Sequence, residues 1–238
     1  MTQKDNPIHC HVEQVYPLTD SIIQLFIQPE NESLTYAAGQ YVDVILKNGE
    51  QAPFSIANAP LGSALLELHI RHLPETAFNN QLLFDIKNQR HITISHAKGN
   101  CTYKQLDNNK PIIFLAGGTG FSPIKAIIEQ ALAAGLQQAM YLYWGARKAN
   151  DLYLENLAQH WDNSIEHFHY IPVLSEANDS WQGRRGLVHE AVLEDVNDLS
   201  PFQVFTAGPI EMVIKAKTTF CEIGLDKKNI YSDTFEFM

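Results

Sequence analysis

A glycine-rich turn is the segment of this 238-residue chain with the clearest chemistry. It lies between an apolar run and a segment with an apolar stripe, and it reads Gly117-Gly118-Thr119-Gly120-Phe121-Ser122-Pro123. Glycines at such a turn let the backbone approach a pyrophosphate, and free N–H groups at the helix start meet its charge. The turn lacks the Gly-Lys-Ser/Thr of a P-loop, and Pro123 replaces the third glycine of the standard dinucleotide fingerprint. It therefore predicts a pyrophosphate site, with a structural turn that binds nothing as the alternative.

Three further segments of similar composition come at the ends of predicted strands. They are Trp144-Gly145-Ala146-Arg147, then Trp181-Gln182-Gly183-Arg184-Arg185-Gly186, and Ala207-Gly208-Pro209 with Met212 one turn on. A parallel sheet binds ligands at the carboxyl ends of its strands, so these segments should meet the glycine turn at one edge. Each alone is a weak signal, because a lone arginine is commonly a solvated surface charge. Four such segments in an acidic protein favour a phosphate-bearing ligand.

The second half of the chain alternates strands and helices, which is typical of a parallel sheet. Continuous apolar runs predict buried strands at Pro111–Ala116, Ala139–Trp144, Phe168–Leu174 and Gln203–Ala207, with a final strand at Ile230–Phe237. Apolar residues spaced by three or four predict helices at Ser122–Ala134, around Leu154–Trp161, and from Pro209 to Gly224. These elements would place the four segments at one sheet edge.

In the first half of the chain, apolar residues recur at every second position, which is typical of half-buried strands in an antiparallel sheet. The alternating residues are Ile23, Leu25 and Ile27, then Val42, Val44 and Leu46, then Leu66, Leu68 and Ile70, and last Ile92 and Ile94. One helix is predicted at Thr76–Ile86, where apolar residues recur every four positions. Several short strands of this kind predict a small barrel or sandwich.

Composition and charge exclude several classes of protein. Seventeen Lys and Arg oppose 27 Asp and Glu, for a net charge of -10, so nucleic acid is not expected as a partner. No apolar stretch approaches the roughly 20 residues of a membrane span, and the polar Met1–Asn6 has no signal-peptide core, which predicts a cytoplasmic protein. Three cysteines are too few for a disulfide framework or a four-cysteine iron–sulfur cluster. The pairs His9/His11 and His167/His169 lack a third ligand, so no metal is expected.

The order of the motifs resembles the ferredoxin–NADP reductase superfamily, and within it the bacterial NAD(P)H–flavin reductases, including those associated with luciferase. The motifs span nearly the whole chain and are Y-A-A-G-Q-Y, P-F-S-I-A-N, G-G-T-G-F-S-P, Y-W-G-A-R, G-R-R-G, A-G-P-I-E-M and the terminal S-D-T-F-E-F-M. The resemblance implies a β + α/β fold with two domains. Residues 1–104 would form an antiparallel β-barrel that binds flavin. Residues 105–238 would form a five-stranded parallel sheet that binds a nicotinamide dinucleotide.

By the resemblance, the flavin site consists of the residues around the isoalloxazine ring, namely Pro53, Phe54, Ser55, Ile56, His69, Ile70, Arg71 and Phe235, with Asp233 close by. Ser55 would be the catalytic residue, with its hydroxyl near the flavin nitrogen that receives hydride. The alternative for Ser55 is a local turn hydroxyl. His69, Ile70 and Arg71 would offer backbone groups on the next strand.

The same resemblance implies that the dinucleotide is held by the glycine turn and the later segments, that is by Gly117, Gly118, Thr119, Gly120, Phe121, Ser122, Pro123, Trp144, Gly145, Arg147, Arg184, Gly208, Pro209 and Met212. The turn would hold the pyrophosphate, and Arg147 and Arg184 would serve the ribose–phosphate end. Gly208, Pro209 and Met212 would flank the nicotinamide. The choice between NADH and NADPH stays open, because no acid ends the second strand to reject a 2′-phosphate.

Two departures from the superfamily predict weak flavin binding. Ala52 stands where relatives carry an arginine that pairs with a flavin phosphate, and residues 72–76 lack the glycine and serine that wrap the FAD pyrophosphate. A charged hydrogen bond contributes roughly 1.5–3 kcal/mol, or about 10- to 150-fold in affinity. Arg71 or His72 could replace the missing cation. Riboflavin, FMN or FAD is therefore expected to behave as a substrate that comes and goes, or as a loosely bound cofactor.

Three functions are compatible with these features. The leading hypothesis is an NAD(P)H-dependent flavin reductase that transfers hydride from nicotinamide to flavin and releases reduced flavin. The second is an FAD-containing reductase component that delivers electrons to a separate oxygenase or iron–sulfur partner. The third, from another class, is a non-catalytic protein that senses the dinucleotide. In the first two, the cofactors perform the hydride chemistry while the protein supplies position and excludes water.

Ala52→Arg is expected to favour phosphorylated flavins, because a guanidinium can pair with the phosphate of FMN or FAD and riboflavin has none. Affinity for FMN and FAD should rise about tenfold, while affinity for riboflavin stays unchanged. Fluorescence-quenching titrations of wild type and variant with the three flavins measure this. An equal gain for riboflavin would show that the arginine acts through the ring or the fold. Nanomolar binding of FAD by wild type would contradict the hypothesis that flavin is a substrate.

Overall fold

The computed structural model describes residues 6–30, 34–72 and 76–237, so residues 73–75 of the segment at 72–76 lie outside the described part. The described residues form two six-stranded sheets, the first antiparallel and the second parallel. The first sheet and its helix comprise β1 (Ile8–Pro17), β2 (Ile22–Pro29), β3 (Tyr41–Ile45), β4 (Gln51–Ser55), β5 (Leu66–Arg71), α1 (Ala77–Gln89) and β6 (His91–Ile94). The predicted alternating runs correspond to β2, β3, β5 and β6, and the predicted helix corresponds to α1.

The antiparallel sheet closes into a barrel. Its strand order is β4-β3-β6-β1-β2-β5, and the two ends meet through a bridge between Ile56 and Leu68. There the Ala57 N–H donates to the Glu67 carbonyl oxygen at 2.7 Å, which pairs backbone groups that an open edge would leave free. Apolar side chains of the strands and of α1 fill the interior. The predicted antiparallel barrel is therefore confirmed.

The parallel sheet follows a turn at Tyr103–Gln105, within which the predicted domain boundary between residues 104 and 105 falls. Its elements are β7 (Ile112–Gly117), α2 (Phe121–Ala133), β8 (Met140–Ala146), α3 (Glu155–Ser164), β9 (Phe168–Leu174), β10 (Arg184–Arg185), α4 (Val188–Asp195), β11 (Gln203–Ala207), α5 (Ile210–Glu222) and β12 (Ile230–Tyr231). The strand order is β10-β9-β8-β7-β11-β12. Helices α2 and α3 cover one face, and α4 and α5 cover the other. The order changes direction between β7 and β11, where sheets of this type bind ligands.

The parallel sheet differs from the prediction in three places. It has six strands rather than five, because the two residues of β10 pair with β9. No helix was predicted at α4. The last strand ends at Tyr231 and does not continue to Phe237. There the Asp233 carboxylate accepts the backbone N–H groups of Asn100 and Cys101, each at 2.8 Å, and the chain turns into a 3₁₀ helix at Asp233–Phe237.

Strand β5 also differs from the half-buried strand that its alternation predicts. Leu66, Leu68 and Ile70 lie in the barrel core, as expected. Glu67 and His69 on the other face are buried as well, with only 4% of each residue exposed. They are buried because this face of β5 lies against the parallel domain rather than against solvent. The barrel and the parallel sheet are therefore in direct contact along β5.

A buried ion pair joins the two domains at this contact. The Lys125 ammonium on α2 lies 2.8 Å from Glu67 Oε2 and 2.7 Å from Glu129 Oε1, and it donates to the Ala57 carbonyl oxygen at 3.0 Å. Glu129 in turn accepts the Ala59 N–H at 3.0 Å. The ammonium group thus has an acceptor for each of its three protons, as a buried cation requires.

Uncharged groups complete the hydrogen bonding around the ion pair. The Gln24 amide donates to Glu67 Oε1 at 2.7 Å, and His69 Nε2 lies 2.8 Å from the same oxygen. The other ring nitrogen of His69 lies 3.0 Å from the hydroxyl of Tyr153, which precedes α3. The interdomain network, as we name it, consists of Glu67, His69, Lys125, Glu129 and Tyr153.

Protonation states follow from these contacts. Burial by itself raises the pKa of Glu67, but the hydrogen bond from His69 and the charge of Lys125 outweigh it and lower the pKa to about 2. Burial lowers the pKa of His69, so its ring is neutral. Because an ionised carboxylate only accepts hydrogen bonds, His69 Nε2 carries the proton, and Nδ1 accepts from the Tyr153 hydroxyl.

Lys125→Met is expected to lower the free energy of unfolding by about 3–5 kcal/mol, because it leaves the buried Glu67 carboxylate without its cation. Lys227→Met changes an exposed lysine and should stay within about 0.5 kcal/mol of wild type. Urea unfolding followed by circular dichroism measures both variants. Equal stability of the two variants would contradict a stabilising role for the interdomain network.

Candidate functional site

A cleft of about 980 Å³ lies where the barrel meets the carboxyl edge of the parallel sheet. The barrel contributes predicted flavin-site residues to its lining, namely Pro53, Phe54, Ser55, His69 and Arg71. The parallel domain contributes predicted dinucleotide-site residues, namely Gly117, Gly118, Thr119, Gly120, Ser122, Pro123, Gly145, Arg147, Gly208, Pro209 and Met212. The fold therefore brings together two predicted sites whose motifs are far apart in sequence.

The glycine turn lies at the carboxyl end of β7, as predicted, and close contacts require its glycines. A Cβ atom at Gly120 would lie 2.1 Å from the Ala207 carbonyl oxygen, and one at Gly117 would lie 2.7 Å from Met212 Sδ. Gly118 has a φ of +54°, which favours glycine, and an added Cβ there would have no neighbour closer than 4.0 Å. Gly118–Gly120 form a short 3₁₀ helix that leads directly into α2. The Phe121 N–H already donates to the Gly118 carbonyl oxygen, whereas the first N–H groups of the 3₁₀ segment have no partner within the helix. The turn therefore offers backbone donors to the cleft.

Two buried aromatic residues hold this turn in place. The ring of Phe121 stacks on that of Trp144, with 3.9 Å between centroids and 16° between planes. The Trp144 indole N–H donates to the Gly118 carbonyl oxygen at 3.0 Å, which fixes the orientation of that peptide. Both aromatic side chains are fully buried, so we propose that these two predicted dinucleotide-site residues act by positioning the turn.

On the barrel side, the end of β4 forms the wall of the cleft. Phe54 stacks against Phe78 of α1, with 6.4 Å between centroids, and this contact holds the strand end that carries Ser55. Ile56 and Ile70, two predicted flavin-site residues, have no exposed surface and lie in the barrel core. Of the predicted flavin-site residues on β4 and directly after it, Pro53, Phe54 and Ser55 are therefore the ones that line the cleft.

The arginines near the cleft differ in their availability. Arg71 and Arg147 line it, and the Arg147 side chain is 62% exposed. Arg184 forms an ion pair with Asp195 of α4 and is not among the lining residues. Arg185 donates to three backbone carbonyl groups of its own loop. Of these four cations, Arg71 and Arg147 are placed to meet a ligand in the cleft.

The C-terminal residues divide between the cleft and the parallel domain. Asp233 lines the cleft. A Cβ atom at position 99 would lie 2.7 Å from Oδ2 of Asp233, so the contact between the Asp233 carboxylate and the barrel requires glycine at that position. Phe235, predicted near the flavin ring, instead packs against the core beneath α5, with Lys217 Nζ 4.0 Å from its ring centroid.

Sequence reasoning missed several polar residues of the cleft wall, three of which lie on the side of α4 and α5. His189 on α4, Thr206 on β11 and Lys215 on α5 all line the cleft. His189 and Thr206 are buried, and neither the His189 ring nitrogens nor the Thr206 hydroxyl has a hydrogen-bond partner among the described residues. Their positions were the available signal, since His189 comes three residues after Gly186 and Thr206 two residues before Gly208.

Among the described residues, no helix has the length and apolar character needed to cross a bilayer, and no group of three or more metal-binding side chains occurs. An antiparallel barrel and a parallel sheet that share a cleft with a glycine turn define the class. The fold is that of the two-domain, ferredoxin reductase-like oxidoreductases.

Comparisons with known proteins identify the family. The family model for the oxidoreductase NAD-binding domain matches residues 114–218. A probable flavin reductase of Photobacterium leiognathi is 36% identical, with 96% of this chain and 98% of the relative covered. The CDP-6-deoxy-L-threo-D-glycero-4-hexulose-3-dehydrase reductase of Yersinia pestis is also 36% identical, with 95% of this chain and 68% of that protein covered. The Amycolatopsis cytochrome P450 reductase matches with a TM-score of 0.87 and 26% identity, over 97% of this chain and 70% of that one.

The chain belongs to the ferredoxin reductase-like family that contains the NAD(P)H–flavin reductases. Membership confirms the resemblance found in the sequence motifs. Relatives named flavin reductase and a relative named dehydrase reductase both match this chain.

Gly120→Ala is expected to displace the turn, because the added Cβ would lie 2.1 Å from the Ala207 carbonyl oxygen. This neighbour is backbone, so it cannot move away as a flexible side chain could. Gly135→Ala is the matched control, since Gly135 also follows an element end and has nothing within 4 Å of an added Cβ. The control should cost about 1 kcal/mol of stability, from its φ of +70°, and keep its affinity for NAD⁺. Gly120→Ala should bind NAD⁺ at least about tenfold more weakly.

Isothermal titration calorimetry with NAD⁺ and thermal unfolding measure the two glycine variants together. Unchanged NAD⁺ affinity in a folded Gly120→Ala variant would show that the turn does not position the dinucleotide.

Proposed function

We propose that the protein is an NAD(P)H:flavin oxidoreductase, which transfers hydride from the dinucleotide to a flavin and releases the reduced flavin. The observation that carries the proposal is the shared cleft, because Ser55 of the barrel and the glycine turn line the same cavity. Hydride transfer needs two rings face to face, so the two binding sites must open into one space. Relatives named flavin reductase support this activity.

The residues of the cleft fit both ligands. The turn and the start of α2 offer backbone donors for a pyrophosphate, and Arg147 supplies an exposed cation beside them. Pro53 and Phe54 offer an apolar edge against which a flat ring can lie, with the Ser55 hydroxyl next to it. Glycine at positions 117 and 145 lets the Met212 and Val188 side chains pack closely against the strand ends that line the cleft.

The protein's part in the reaction is to position two ligands. The bound cofactors supply the hydride chemistry, so no acid–base pair is required of the side chains. The Ser55 hydroxyl would donate a hydrogen bond to a flavin ring nitrogen. Pro209 and Met212, which lie close to Gly117, would form the wall behind the nicotinamide. The interdomain network would hold these two walls at a constant separation.

Flavin is proposed to be a substrate rather than a permanently bound group. Ala52 precedes the Pro53–Ser55 wall and offers no charge to a flavin phosphate. Arg71, which is exposed at the cleft, is the cation that remains on the barrel side. With one flexible cation in place of a dedicated phosphate site, reduced flavin can leave after each turnover.

A second candidate function is a reductase component for a separate protein acceptor, such as an oxygenase or an iron–sulfur protein. The observation that favours it is the Yersinia pestis relative, a dehydrase reductase that is as similar to this chain as the Photobacterium flavin reductase. Both candidates would act in the cytoplasm. Cys10 and Cys221 are free thiols, as expected in a reducing compartment.

Purified protein distinguishes the candidates. A flavin reductase should be colourless and should oxidise NADH or NADPH only when riboflavin, FMN or FAD is added. Protein that is yellow with stoichiometric FAD, and that reduces added flavin slowly, would favour the reductase component. Absence of turnover with every flavin and both dinucleotides would contradict both proposals and favour the dinucleotide sensor.

Ser55→Ala should lower kcat with flavin on the order of 10- to 1000-fold, as for other positioned donors to a transition state. The fold and the affinity for NAD⁺ should be unchanged, because the hydroxyl acts at the ring rather than in packing. Ser63→Ala is the control, since Ser63 is exposed and bonds only its own loop at Leu65 N–H. Equal kcat in wild type and Ser55→Ala would assign Ser55 to a local structural role.

A further inference from the structure

Two buried polar residues of the cleft have no role in the ligand binding proposed above. Thr206 has no exposed surface and His189 is 3% exposed, and both line the cleft. The Thr206 hydroxyl and both ring nitrogens of His189 have no hydrogen-bond partner among the described residues. A buried polar group without a partner costs about 1–3 kcal/mol. Three such atoms in the lining of one cleft point to a ligand that supplies their hydrogen bonds.

The two side chains lie on the same face of the parallel sheet. Thr206 pairs in register with Leu115, so their side chains project from the same face, and Leu115 belongs to the core beneath α4 and α5. Val188, next to His189, belongs to that core as well. Thr206 and His189 therefore approach the cleft from the side of α4 and α5, whereas the glycine turn leads into α2 on the opposite face.

The Thr206 and His189 side chains are uncharged, although Lys215 and Glu211 of α5 also line the cleft. Burial lowers the pKa of His189, and the charge of Lys215 adds to this effect against that of Glu190, so the imidazole is uncharged. A neutral imidazole has one donor and one acceptor, and a threonine hydroxyl both donates and accepts. Sugar hydroxyl groups have the same dual character. A phosphate, by contrast, would be met by the backbone donors of the turn and by Arg147.

We propose that Thr206 and His189 form a subsite that binds the hydroxyl groups of a ribose of the nicotinamide dinucleotide. The subsite deepens the proposed function and rests on it. Ala207, the neighbour of Thr206, is the residue whose carbonyl group lies against Gly120 of the turn. A dinucleotide whose pyrophosphate lay at that turn would therefore have its adjoining sugar near Thr206.

Thr206→Val tests the subsite because it removes the hydroxyl and keeps the shape of the side chain. The Kd for NAD⁺ and the KM for NADH should rise about tenfold. The kcat at saturating NADH and the KM for riboflavin should not change. The ligand-free variant should be as stable as wild type or more stable, because a methyl group replaces a hydroxyl that lacks a partner.

His189→Leu should show the same pattern, and Thr218→Val is the matched control. Thr218 is exposed on α5, and its hydroxyl donates to the Ile214 carbonyl oxygen of the same helix. The control should leave the Kd for NAD⁺ and both KM values at the wild-type level. Calorimetric titration with NAD⁺, steady-state kinetics and urea unfolding give the required measurements.

The outcomes separate the subsite from the proposed function. Wild-type protein that oxidises NADH, together with Thr206→Val and His189→Leu variants that bind NAD⁺ as tightly as wild type, would overturn the subsite and leave the function intact. Lower stability with unchanged NAD⁺ affinity would likewise overturn it and assign both side chains to structure. Wild-type protein that neither binds NAD⁺ nor oxidises NADH would overturn the proposed function and the subsite with it.

Discussion

The ammonium group of Lys125 determines how the barrel and the parallel sheet face each other. It comes from α2 of one domain, and two of its three acceptors, Glu67 and the Ala57 carbonyl oxygen, come from the other. Buried charges tolerate little displacement, because a lost partner leaves an uncompensated ion in a medium of low polarity. The width of the cleft is therefore set by hydrogen-bond lengths. A reaction between two stacked rings needs a separation of about 3–3.5 Å, which a fixed pair of walls can maintain.

The glycine turn allows close packing of backbone segments, as the standard dinucleotide fingerprint does, but it uses different residues. In the fingerprint, the third glycine allows close packing of helix on strand. Here the close approach is between Gly120 and Ala207, so it joins the turn to the neighbouring strand β11. Pro123 occupies the first turn of α2, where its missing N–H would have no partner within the helix. The hydrogen bond from the Trp144 indole N–H to the Gly118 carbonyl oxygen then fixes a peptide that the glycines would otherwise leave mobile.

The sequence predicted most strands and the position of the turn, because hydrophobic period and glycine placement are local signals. It could not predict that β5 is covered on both faces, since a Glu and a His at alternate positions look like the solvent side of a strand. Arg184, which the resemblance assigns to the ribose–phosphate end, forms an ion pair with Asp195 on α4, a helix that was not predicted. The burial of His189 follows from the packing of that same helix. These features share a cause, which is that long-range contacts decide whether a polar residue meets solvent, an ion or a ligand.

The contact of Asp233 with the Asn100 and Cys101 N–H groups has a mechanical consequence. It makes the C-terminal segment a third attachment between the domains, after the polypeptide connection near Tyr103 and the ion pair of Lys125. Each attachment lies on a different element, so rotation of one domain about any one of them strains the other two. Hinge opening, a common way for two-domain proteins to admit large ligands, is thereby disfavoured. Small molecules must enter and leave by diffusion through the mouth of a cleft whose walls stay in place.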